Sequence, residues 1–64
     1  MPWIRPQDQM PLEGEEVLIT DNKGMQIVAW WNEYNKAWHS HSEYYSWWPR
    51  EVVYWMPIPQ PPNP

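Results

Sequence analysis

The chain contains no cysteine and no phenylalanine, only two glycines, and only four Lys and Arg among its 64 residues. Each scarcity removes a class of protein. Without cysteine there is neither a disulfide framework nor a thiolate zinc site. With Gly14 and Gly24 as the only glycines there is no Gly-rich loop to cradle a phosphate. Arg5, Lys23, Lys36 and Arg50 are scattered and outnumbered by eight Asp and Glu, and a net charge of −4 argues against nucleic-acid binding through phosphate neutralisation. The acidic excess is too small for a nucleic-acid mimic, which needs a dense stripe of negative charge. No long apolar run occurs and no basic segment follows Met1-Pro2. The expectation is therefore neither a signal peptide nor a membrane span, and a cytoplasmic setting.

Abundance points the other way. Seven Trp, four Tyr and nine Pro crowd the chain, and the octet EYYSWWPR at 43–50 holds four rings in eight positions. Large rings suit a core because they bury much area, and a chain this short has few interior positions to give them. Every Trp and Tyr also carries an N–H or O–H that needs a partner, and both residues are enriched at interfaces. Some of the rings are expected to face outward.

The local patterns predict one domain over 1–64, mainly β with a small α+β arrangement as the variant. The arm 1–14 contains three prolines between Pro2 and Pro11 and reads as irregular chain anchored by Trp3 and Ile4. EEVLIT and MQIVAWWN alternate as strands around DNKG, a turn whose Asp start and Gly end suit a type I turn with a bulge. AWHSH is a short third strand, EVVYWM a last one, and 42–50 between them an aromatic loop. The expected architecture is a three- to four-stranded antiparallel sheet over 15–56. The Pro-rich arm and a polyproline tail at 57–64 pack across it.

Trp3-Ile4, Asp8-Gln9-Met10-Pro11, Gly14-Glu15, Val17-Leu18-Ile19, Trp30, Trp38 and the closing Tyr54-Trp55-Met56-Pro57-Ile58-Pro59-Gln60-Pro61-Pro62 together resemble the phage and prophage family called domain of unknown function 551. The resemblance spans nearly the whole chain, and its closing tryptophan, methionine and alternating prolines are its most specific part. It implies a phage-encoded, non-catalytic accessory protein in a bacterial host cell, with a small β or α+β fold. It also implies that Trp3, Trp30, Trp38 and Trp55 form the core. That leaves Trp31, Tyr34, Tyr44, Tyr45, Trp47 and Trp48 as a surplus beyond the family pattern. Neighbouring strand residues point to opposite faces, so Trp30 and Trp31 cannot share one core layer.

Candidate chemistry is sparse. His39, His41 and Glu43 stand at alternating positions that an extended strand would align, but no further His or Cys completes a tetrahedral set, and no metal is expected. No nucleophile accompanies the histidines, and Glu13, Glu15 and Glu16 read as hydrated surface, so no enzyme is expected and no cofactor. Pro59-Gln60-Pro61-Pro62 fits a PxxP pattern without a flanking basic residue. The strongest candidate is a binding surface of Tyr44, Tyr45, Trp47, Trp48 and Arg50, joined by Trp31 and Tyr34. Its rings would stack on a partner and Arg50 would meet an anionic group. The expected function is an accessory protein that binds and inhibits a host protein of a defence system. The alternative is a sponge that stacks a small nucleotide-like signal between rings. Edge strands bearing aromatics make a homodimer compatible with either.

Overall fold

A computed structural model describes residues 3–42 and 45–59. These residues form a mainly β structure, a five-stranded antiparallel sheet with strands β1 (Val17–Asp21), β2 (Gln26–Asn32), β3 (Ala37–Ser40), β4 (Ser46–Trp47) and β5 (Val52–Pro57) in the order β4-β3-β2-β1-β5. A single 3-10 turn, Pro49–Glu51, links β4 to β5, and no α-helix occurs among the described residues. The strand count exceeds the expected three to four for a local reason. Ser46 and Trp47, read from the sequence as loop, pair with His39 and Trp38. Two residues of strand leave no periodicity to detect.

The β1–β2 turn forms as its residues dictate. The Asp21 Oδ1 accepts the N–H groups of Lys23 at 2.9 Å and Met25 at 2.8 Å, closing the turn from the inside. Gly24 takes φ +86°, a left-handed conformation that a Cβ disfavours. At the β2–β3 turn the Asn32 side chain accepts from Asn35 N–H at 2.8 Å, and Lys36 takes the left-handed φ of 55°.

The order of the strands forces the sheet to curl. β4 and β5 are its opposite edges, which in a flat sheet would lie about 19 Å apart over four strand spacings. Only residues 48–51 connect them, and from Trp47 to Val52 even extended chain spans at most about 18 Å. The 3-10 turn shortens that reach further. One face therefore becomes concave, and across it the Trp47 indole on β4 reaches Asp21 on β1.

The core lies on that concave face. Val17 pairs with Ala29, Ile19 with Ile27 and Trp55, and Trp31 with Trp38, which pairs in turn with Trp47. Val17, Ile19, Ala29 and Trp38 are fully buried, and Trp31, Trp47, Val52 and Trp55 join them in one cluster. The Trp31 and Trp38 rings meet edge to face at 5.5 Å. The N-terminal arm meets β5 at the other edge: Ile4 and Trp55 exchange both backbone hydrogen bonds at 2.8 and 2.9 Å, and the Trp55 indole donates to the Gln9 carbonyl at 2.8 Å.

The register corrects the expected core. Trp31 is buried and Trp30 is half-buried on the convex face, because Trp31 opposes Trp38 while Trp30 opposes His39. Trp38 and Trp55 are core as expected, whereas Trp3 is half-buried. The tail beyond Pro59 lies outside the described residues.

Candidate binding rim at the β4–β5 connection

The connection from β4 to β5 separates two neighbouring tryptophans. Trp47 is 6 % exposed and its indole donates to Asp21 Oδ2 at 3.1 Å, three strands away in the sheet order. Asn22 N–H donates to the Glu51 carbonyl at 2.9 Å, so the hairpin turn holds both ends of the connection. Burial pushes the Asp21 carboxyl up, but the N–H groups of Met25 and Lys23, the Trp47 indole and the nearby Lys23 charge outweigh it and hold the group below the usual carboxylate range. Asp21 is thus a buried anion satisfied on both oxygens.

Trp48 has the opposite environment. Its backbone N–H donates to the Glu51 carboxylate at 2.8 Å, and its carbonyl accepts from Glu51 N–H at 2.9 Å. Pro49 opens the 3-10 turn that these bonds close, and its ring removes one backbone degree of freedom. The backbone is clamped while the indole stays 64 % exposed. Beside it, Arg50 is exposed and makes no hydrogen bond or ion pair among the described residues. Trp48, Pro49 and Arg50 line a shallow depression of about 380 Å³.

The remaining expected site residues fall in different places. Trp47 and Trp31 are core, which is a correction: their ring faces are covered and cannot join an exposed patch. Trp31 also donates its indole N–H to Glu33 at 2.6 Å, and Lys36 pairs with the same carboxylate; Lys36 first and Trp31 second hold Glu33 below its ordinary value. Tyr45, 44 % exposed, stacks on Trp47 at 6.3 Å and so covers one side of the core. Tyr34 is 93 % exposed at the β2–β3 turn and lines no depression with Trp48. Tyr44 and Glu43 lie outside the described residues.

The two histidines part company because β3 ends at Ser40. His39 stays on the strand with its ring nitrogen 3.3 Å from the Asn35 amide, whereas His41 pairs with Glu16 and meets the Trp30 ring edge-on at 5.0 Å. No group of three potential metal ligands forms among the described residues.

Met10, Val53 and Tyr54 were missed by sequence reasoning, yet they are exposed and line one depression with Arg5 and Arg50. No local signal marked them. Val53 is the extra residue of a β-bulge: Thr20 pairs with Tyr54 and Asp21 with Val52, so Val53 has no partner on β1. Two consecutive side chains, Val53 and Tyr54, consequently both reach solvent, against the strand alternation.

These features define a small, mainly β protein with a buried tryptophan cluster and an exposed Trp48 on the connection between the two sheet edges; no helix among the described residues is long and apolar enough to cross a membrane. The chain belongs to the family described as Protein of unknown function (DUF551), whose profile matches residues 2–63. No curated protein and no solved structure matches it.

Proposed function

We propose that this protein is a non-enzymatic, phage-type accessory protein that docks on a host protein through the Trp48 rim and inhibits it. One observation carries the reading: Trp48 presents a 64 % exposed indole on a backbone fixed by two hydrogen bonds to Glu51, next to an Arg50 that has no partner among the described residues. A rigid exposed Trp beside an Arg is the side-chain chemistry of interface hot spots, because ordering costs little and desolvation gains much. The clamp supports a binding role, since the core does not need this ring.

The test is quantitative affinity capture from bacterial lysate with the wild type and Trp48→Ala in parallel. Wild-type protein should enrich a host protein at least about tenfold over Trp48→Ala, the loss expected of a hot-spot ring. Equal recovery by both would sink the reading. Retention of a mononucleotide instead of a protein, seen by native mass spectrometry, would replace docking with ligand sequestration.

A further inference from the structure

Exposed large apolar side chains are not evenly spread over this surface. Of the seven among the described residues, Met10, Val53 and Tyr54 line a single open depression of about 740 Å³ between the Arg5–Asp8 turn of the arm and the Pro49–Arg50 ridge. Trp48 stands on the far side of the same ridge, so four of the seven gather at one end of β5. Apolar clustering of this kind marks interaction surfaces, whereas single exposed apolar residues do not.

The charges of the depression are equally specific. The whole chain has eight Asp and Glu against four Lys and Arg, yet among the described residues the walls of this depression include Arg5 and Arg50 and no carboxylate. The two cations differ. Arg5 is held by Asp8 through two contacts, Nε to Oδ2 at 2.9 Å and Nη2 to Oδ1 at 3.2 Å, so its charge is largely answered. Arg50 has no partner among the described residues. One free guanidinium at the rim of an apolar hollow complements one carboxylate set among apolar groups. It does not suit a nucleotide, whose phosphates call for several cations.

We infer that the depression between the Arg5–Asp8 turn and the Pro49–Arg50 ridge seats a short acidic peptide segment of a protein partner. An Asp or Glu of that segment pairs with Arg50, and aliphatic neighbours cover Met10, Val53 and Tyr54. The bulge at Val53 is the structural device, because it turns two successive residues of β5 toward the segment. The inference rests on reading the Trp48 rim as a protein-docking surface and names what lies beside that rim.

The experiment is selection of a random displayed decapeptide library on the wild-type protein, followed by fluorescence anisotropy of the enriched peptides. Enriched sequences should share one Asp or Glu flanked by aliphatic residues. Arg50→Ala, and Glu→Gln in the peptide, should each weaken binding on the order of ten- to hundredfold, and the two changes together little more than either alone. Arg5→Ala should cost less, since Asp8 already occupies Arg5. Circular dichroism checks that Arg50→Ala is folded, as expected of an exposed residue. No enrichment, enrichment without an acidic residue, or binding indifferent to Arg50→Ala overturns the inference. Lysate capture that depends on Trp48 would then still stand by itself. Conversely, Arg50-dependent peptides without Trp48-dependent capture would keep the depression and remove the docking role of the Trp48 ring.

Discussion

Trp47 and Trp48 are chemically identical and adjacent, yet one lies in the core at 6 % exposure and the other on the rim at 64 %. The two regions they represent are built by different means. The core is made by register: Trp31, Trp38 and Trp47 come into line because β2, β3 and β4 pair with those residues opposite one another. The rim is made by local hydrogen bonds, which hold the 3-10 turn whatever the indole of Trp48 does. Core rings therefore carry stability and rim rings are free to carry recognition, even where the chain places them side by side.

The sharpest way to break this comparison is to remove each ring in turn. Trp47→Ala should cost about 3–5 kcal/mol, the range for emptying a buried large aromatic site. That is close to the whole stability of so small a protein, so thermal unfolding followed by circular dichroism should show an unfolded or barely folded chain. A melting curve like the wild type's would mean that Trp47 is not core.

Asp21 joins the two regions and should give a middle-sized effect. In Asp21→Asn an amide NH₂ replaces the Oδ2 that receives the Trp47 indole, setting donor against donor. The expected loss is about 1–3 kcal/mol, measured by chemical denaturation. The folded carboxyl lies below its ordinary range, so its contribution is present above the unfolded value of about 3.9. It is lost as pH falls from there through the lower folded value. Wild-type stability should thus drop below about pH 4, and Asp21→Asn should flatten that part of the fall; equal slopes for both proteins would remove Asp21 from the account.

The smallest effect on stability belongs to Trp48→Ala. An exposed ring on a turn closed by backbone bonds should shift stability by less than about 0.5 kcal/mol in the same denaturation experiment. A loss approaching that of Trp47→Ala would make the rim part of the core and erase the distinction between the two rings.

What could be read from the chain follows the range of the forces involved. The Asp21–Gly24 turn, the strands at both sides of it and the last strand were legible because side-chain hydrogen bonds, a left-handed glycine and alternation act within a few residues. The octet was only half legible. Its excess of rings announced a special region, but whether Trp47 or Trp48 faced inward depended on the partner opposite, as it did for Trp30 and Trp31 on β2, and a register shift of one residue exchanges the faces. Met10 and Tyr54 gave no sign at all, since their meeting requires the arm to bond at Trp55 and the bulge at Val53 to form.

By itself, the amino-acid sequence determined that this protein is an acidic, cysteine-free, aromatic-rich β protein of its family, with a tight hairpin at its centre. Composition and local propensity are properties of the unfolded chain as much as of the folded one. Only the tertiary structure decided which rings are covered, how a two-residue strand forms one edge of a curled sheet, and that Arg50 stands above an apolar hollow with no partner among the described residues. Those outcomes depend on contacts between residues far apart in the chain, and such contacts exist only once the strands have paired.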